Sequence, residues 1–247
     1  MARQAEPIRV GCTGWSIPAA SDAAFPAGGS HLERYARRFG AVEISSSFYR
    51  HHLPRTYARW AATVPADFRF AVKLPRAITH DARLGSAGFP VLDRFLAEVE
   101  HLGNRLGPLL VQLPPSLAFD AARVAAFFAA LTARTAAAVA CEPRHPSWFT
   151  DAADALLGES CVARVAADPA IAPAAARTGG WAGLAYHRLH GSPAIYRSPY
   201  STATLAAHAA TLRGEAATAP VWCFFDNTAD GAAPHDALDL VARLGEP

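Results

Sequence analysis

Short apolar runs alternate along the chain with longer stretches of helical periodicity. The short runs cover 8–13, 41–45, 68–73, 108–112, 138–142, 161–166, 184–190 and 221–225. Most are nearly continuous in apolar residues, the pattern of strands buried on both faces. Between them, amphipathic periodicity predicts helices at about 31–39, 54–63, 89–103, 120–133, 148–157, 202–213 and 234–244. The connection 168–181 is rich in Pro, Ala and Gly and predicts a degenerate or missing helix after the sixth strand. Strand–helix alternation implies parallel strands with right-handed crossovers. Eight such units in 247 residues predict an α/β fold, a TIM-like (β/α)8 barrel. An open doubly wound sheet is the competing architecture. The turn after the first strand, Gly11-Cys12-Thr13-Gly14-Trp15, lacks the glycine spacing that such sheets use for dinucleotides. No linker-like change of composition divides the chain, so 1–247 reads as one domain.

Polar residues interrupt this pattern at the C-terminal ends of the strands, where barrel active sites are built. Two-residue alternation separates Phe68, Phe70 and Val72 from Arg69, Ala71 and Lys73 in the third strand. The bulky apolar set should face the helices, which turns Lys73 into the mouth. The same reading lines the mouth with Glu43, Lys73, Gln112, Glu142, Asp168, Arg188, His190 and Asn227. Both signs of charge converge there, and buried charges must pair with each other or with a ligand. Glu43–Arg188 or Glu142–Arg188 could equally be a purely structural ion pair.

Composition sharpens one of these positions. The chain has 22 Arg but a single Lys, and its 57 Ala, two Asn and one Met fit a GC-rich coding bias. Arginine therefore serves at every basic position except Lys73. A compact ammonium that can lose its proton is what arginine cannot imitate. The net charge of +2 gives no strong attraction to nucleic acid. Four widely spaced cysteines exclude a zinc ribbon or a secreted disulfide framework. The leading segment MARQAEP has no secretory hydrophobic region, and no apolar run is long enough to span a bilayer. A cytoplasmic, membrane-free protein is expected.

Several segments together resemble a known family. They are VGCTGWS (10–16), AVEISSSFYR (41–50), FRFAVKLPRAITH (68–80), LLVQLPPS (109–116), CEPRHPSW (141–148), RVAADP (164–169), YHRLHG (186–191), 196–201 and FFDN (224–227). In this order they resemble the YecE-like family, domain of unknown function 72 (DUF72). The resemblance implies a TIM-like barrel and carries no reaction with it. Glu43, Phe48, Tyr49, Lys73, His80, Gln112, Glu142, Arg144, His145, Trp148, Asp168, Arg188, His190 and Gly191 fall on its motif positions. Pro143 and Asp226 depart from the pattern. Pro143 stands where the family usually has an aromatic or aliphatic residue, and Asp226 where it often has a second Asn.

The residues themselves support several roles. Lys73 could be a Schiff-base nucleophile, a general base or a point charge for an anion. Glu142, with Glu43 or His190, could move protons. Arg188 and Arg144 could clamp an oxyanion, and His145 could shuttle protons or fix the helix entry. Ser147 reads as a helix N-cap. Phe48, Tyr49 and Trp148 could stack on a ring or pack the rim. Gln112, Asp168 and Asn227 would add polar contacts. No H-x-H or H-E-x-x-H spacing is present, and Lys73 and Arg188 would oppose a dication, so neither a metal nor another cofactor is expected. The leading expectation is a metal-independent enzyme for a small phosphorylated or carboxylated ligand. A nucleic-acid-binding or endonuclease-like barrel and a non-catalytic scaffold are the alternatives.

Overall fold

The structure is a computed structural model and describes residues 8–245. The segment MARQAEP, expected to carry no targeting element, lies outside the described residues. The strands are β1 (Ile8–Cys12), β2 (Ala41–Ile44), β3 (Arg69–Lys73), β4 (Leu106–Gln112), β5 (Val139–Glu142), β6 (Val162–Arg164), β7 (Ala166–Asp168), β8 (Gly179–Gly180), β9 (Ala185–Leu189) and β10 (Val221–Phe225). The α-helices are α1 (His31–Ala36), α2 (Pro54–Thr63), α3 (Phe89–Val99), α4 (Ala121–Thr132), α5 (Asp151–Glu159), α6 (Thr202–Glu215) and α7 (Ala233–Gly245).

The strands form two sheets, in the orders β1-β10-β9-β7 and β2-β3-β4-β5-β6-β8. Every pairing is parallel except β6 with β8, which is antiparallel. Two features link the sheets. Thr13 bridges Glu43 in parallel fashion, and the Gly14 N–H donates to the Glu43 carbonyl at 2.9 Å. In addition, only Val165 separates β6 from β7, which belong to different sheets. The close approach of β1 and β2 explains Gly11, where a Cβ would collide with the Ala41 carbonyl oxygen.

Residues of β2, β5, β9 and β10 are buried on both faces, in keeping with their apolar runs. One strand face packs on the helices through Val42, Val72, Leu109, Val139 and Phe225. The opposite faces share a second cluster, in which Ala41, Ala71, Leu110, Ala140, Ala163 and Val165 meet Leu184, Tyr186, Trp222 and Phe224. Small side chains of the six-stranded sheet thus leave room for large aromatics of the four-stranded one. Gly107 belongs to the same compensation, because a Cβ there would lie 2.6 Å from the Trp222 ring.

Helix starts follow local capping chemistry. Ser30 and Glu33 form a capping box at α1, Asp120 caps α4, Thr150 caps α5 and Ser201 caps α6. Three elements differ from the sequence expectation. The run 161–166 divides into β6 and β7 and continues to Asp168. The helix expected from 148 begins only at Asp151, because Pro146–Trp148 forms a separate 3-10 turn. The helix expected to reach 103 ends at Val99 and continues as a 3-10 turn in which Gly103 takes a φ of 53°. A 3-10 turn, Pro173–Ala176, stands where a helix would follow β7. Among the described residues, no helix is long and apolar enough to cross a membrane.

Candidate functional site

The strand faces that bury Ala41, Ala71, Ala140, Tyr186 and Phe224 continue, two residues on, into Glu43, Lys73, Glu142, Arg188 and Asp226. Two-residue periodicity therefore turns an apolar interior into a charged layer at the strand ends. Arg188 is its centre and is 1% exposed. Its Nε and Nη2 donate to Glu43 at 3.1 and 2.8 Å, its Nη1 to Glu142 at 2.8 Å, and its Nη2 to Asp226 at 3.1 Å.

The three carboxylates have further partners. Glu43 accepts from the Tyr186 hydroxyl at 2.8 Å and the Ser45 hydroxyl at 2.7 Å. Glu142 also pairs with Arg144 at 2.8 Å. Asp226 accepts from the Thr13 hydroxyl at 2.6 Å. The two ring nitrogens of His190 face carboxylates, Nε2 at 2.8 Å from Glu142 and Nδ1 at 3.0 Å from Asp226.

Burial by itself would lower the pKa of Arg188, but Glu43, Glu142 and Asp226 outweigh it and the net shift is upward. For Glu142, burial is likewise outweighed, and Arg188, Arg144 and His190 hold the carboxyl well below the usual range. Asp226 is lowered against its own burial by Arg188, His190 and Thr13.

A cavity of about 500 Å³ opens beside this layer, lined in part by Lys73, Arg76, His80, Gln112, Tyr49 and Tyr196. Thr13, Ser45, Phe48, Arg188, Asp226 and Thr228 complete its wall. Lys73 is 8% exposed, and its ammonium lies 4.0 Å from the centre of the Phe48 ring. Among the described residues it has no carboxylate within ion-pair distance. Burial, then Arg188, lowers its pKa to about 8, against opposing contributions from Glu43, Glu142 and Asp226. His80 sits on the π-helical turn Ala77–Asp81, edge-on to Phe48 at 4.9 Å. Its pKa is lowered by burial and then by Lys73 and Arg76.

Of the expected site residues, Glu43, Glu142, Arg188, His190 and Arg144 meet in one network, while Lys73, Gln112 and Tyr49 line the cavity. Four others lie elsewhere. Asp168 is one residue out of phase with inward-facing Ala163 and Val165; its Oδ1 accepts from the Tyr200 hydroxyl at 3.0 Å beside a separate cavity of about 300 Å³. Asn227 follows Asp226 and takes the opposite parity, donating to the Ser198 carbonyl and to Asp236.

His145 caps the turn 146–148, its Nδ1 accepting from the Ser147 N–H at 3.2 Å. Trp148 is fully buried and its indole N–H donates to the Leu117 carbonyl at 2.8 Å. Ser147, read as an N-cap, instead accepts from the Phe119 N–H, and Thr150 caps the helix. Arg188, expected to clamp a ligand anion, has its guanidinium committed to three carboxylates.

Asp226 and Tyr196 were not among the expected site residues. Counting in twos from Phe224 selects Asp226 over Asn227, the count that placed Lys73. Tyr196 comes from a loop with no periodic signal. Its φ is 68°, its ring stands edge-on to His190 at 5.6 Å, and it is 43% exposed. Among the described residues, no group of three or more His, Cys, Asp or Glu side chains is placed to hold a metal ion.

Comparison with known proteins places this geometry in a family. The UPF0759 protein YecE of Escherichia coli K12 is 36% identical over 83 residues, 34% of this chain and 30% of that protein. The UPF0759 protein YunF of Bacillus subtilis is 30% identical over 117 residues, 44% of this chain and 40% of that protein. These alignments thus span less than half the length of either relative.

Solved structures extend the likeness over the whole fold. A DUF72 family protein from Enterococcus faecalis superposes with a TM-score of 0.80 at 20% identity, covering 98% of this chain and 96% of that one. One from Thermotoga maritima gives 0.79 at 24% identity, covering 97% and 99%. A fusion protein described as a xylose isomerase-like TIM barrel joined to a 4-hydroxyphenylpyruvate dioxygenase gives 0.55 at 13% identity, covering 96% of this chain and 42% of that one. The family model for the protein of unknown function DUF72 matches residues 9–247, and the chain therefore belongs to the DUF72 family.

Proposed function

We propose that the chain is one domain whose two sheets are arcs of a single (β/α)8 barrel, and that the cavity beside Lys73 is the active site of an enzyme for a small anionic ligand. The barrel reading is supported by the Thr13–Glu43 bridge between β1 and β2 and by the continuity of β6 and β7 through Val165. The apolar cluster shared by both sheets would then be the barrel interior, and the cavity would lie at its C-terminal mouth.

The observation that carries the functional reading is the state of Lys73. Among the described residues it is a buried cation in a cavity wall with no ion-pair partner, whereas Arg188 and Arg144 beside it are both paired with carboxylates. A phosphate or carboxylate would supply the missing partner, and Arg76 lines the same cavity. Glu142 and Asp226, which Arg188 helps to keep ionised, orient the His190 ring between them, and His190 is the group of this network that would move a proton. The carboxylates that could ligate a dication are occupied by Arg188, which favours chemistry without a metal.

A scaffold role would leave the mouth plugged, and a cavity of about 500 Å³ speaks against it. The near-neutral charge makes nucleic acid the weaker reading. The test is ligand capture from a metabolite pool, read by native mass spectrometry. Lys73→Met should weaken capture of anionic compounds by about tenfold or more, the value of one charge-assisted contact. Unchanged capture in a folded variant overturns the reading.

A further inference from the structure

We propose that Lys73 is a nucleophilic amine that forms an imine with an aldehyde or ketone held in the cavity, so that the ligand class is an anionic carbonyl compound. This inference rests on the reading of the cavity as an anion-binding active site and adds what Lys73 does there.

An imine-forming lysine needs a reachable nitrogen, a neutral amine at working pH and shelter from water. Lys73 is almost fully buried yet lines an open cavity of about 500 Å³. Among the described residues no carboxylate lies within ion-pair distance to hold its proton, in contrast to Arg188 and Arg144. The charged groups acting on it are Arg188, Glu43, Glu142 and Asp226 from the strand ends, while His80, on the turn after β3, is itself lowered by Lys73. Burial and Arg188 prevail, and the lowered pKa of about 8 raises the neutral fraction near pH 7 by roughly two orders of magnitude over an ordinary lysine. The Phe48 ring beneath the nitrogen, at 4.0 Å, would also face the cationic iminium product.

The reaction balances without a co-reactant. The Lys73 nitrogen adds to the carbonyl carbon, and the nitrogen proton passes to the former carbonyl oxygen. A second proton, from a cavity group such as His80, then lets that oxygen leave as water. A carbon–nitrogen double bond forms and a carbon–oxygen bond breaks, with no change of oxidation state. The anionic substituent of the ligand would face Arg76 across the cavity.

The sequence makes the test unusually clean, because the chain contains one lysine and its only other amine is the N-terminus. The full chain is incubated with pyruvate or with glyceraldehyde 3-phosphate and sodium cyanoborohydride, which reduces any imine to a stable secondary amine. Peptide mass spectrometry then locates the adduct, and binding of each probe without hydride is measured by calorimetry.

The expected result is an adduct on Lys73 for at least one probe, formed at least about tenfold faster than on the urea-unfolded chain, as its neutral fraction predicts. Lys73→Arg should keep the positive charge and probe binding while losing the adduct. Probe binding without an adduct on Lys73 overturns the imine and leaves anion binding standing. An adduct confined to the N-terminal amine overturns it equally. Absence of both binding and adduct overturns this inference together with the reading on which it rests.

Discussion

Arg188 and Lys73 lie at the ends of β9 and β3, and both are buried cations in the same charged layer. Arg188 is enclosed by Glu43, Glu142 and Asp226, and its pKa is raised. Lys73 rests on an aromatic ring at a cavity wall, and its pKa is lowered to about 8. The difference comes from surroundings and side-chain chemistry together. A guanidinium presents five donors in a planar fork and can satisfy several carboxylates at once, whereas an ammonium is a point charge that can give up its proton. One region is a closed network of ion pairs at the strand ends, and the other leaves a buried cation beside a cavity. On the proposed reading, the fold gives up stability at the position that would bind the ligand.

The largest effect should come from breaking the closed network. Arg188→Met leaves buried Glu43 and Glu142 and part-buried Asp226 without their common partner and should cost about 3–5 kcal/mol in urea unfolding. A loss under about 1 kcal/mol would show that the network is not what holds these strand ends.

Removal of the other cation should have the opposite sign. The folded pKa of Lys73, about 8, lies below its ordinary 10.5, so between these values the unfolded chain holds a proton that the folded chain has released. Stability contributed by this group therefore rises with pH across that window and is lowest below it. Lys73→Met should stabilise the fold at pH 7 by about 1–3 kcal/mol, and the gain should shrink between about pH 8 and 10.5 and be absent above it. Thermal unfolding at pH 7 and in alkaline buffer would reveal it. A destabilised variant would mean that Lys73 is as structural as Arg188.

The smallest effect concerns the cavity rim. Tyr196 holds a left-handed backbone, with φ at 68°, that costs an L-residue roughly 1 kcal/mol or more. Tyr196→Gly removes this cost together with a half-exposed ring. Stability should stay level or rise by up to about 1 kcal/mol, while ligand capture weakens by several-fold. Loss of stability without a change in capture would place Tyr196 with the framework rather than the site.

Alternation of apolar and polar residues was sufficient to locate most of the strands, most of the helices and the polar strand ends. It placed Lys73 on the inward parity because β3 pairs with β2 without a break from Arg69 to Val72, although its register against β4 shifts between Phe70 and Val72. It misplaced Asp168 and Asn227 for one reason: being adjacent to a strand end was taken as facing the mouth, although counting in twos from Val165 and Phe224 turns both away. His145 and Trp148 were misjudged for a different reason. Their residue types suit a site, but a proline-led 3-10 turn commits them to capping and core packing.

The sequence by itself determined the α/β alternation, the family and the single lysine at a strand end, because these depend on local periodicity and residue chemistry. Only the tertiary structure decided that Arg188 is saturated while Lys73 has no ion-pair partner among the described residues. That distinction depends on which of several carboxylates come within hydrogen-bond distance when Glu43, Glu142 and Asp226 converge from the ends of β2, β5 and β10, and no local pattern in the chain encodes distances across 38 to 145 positions.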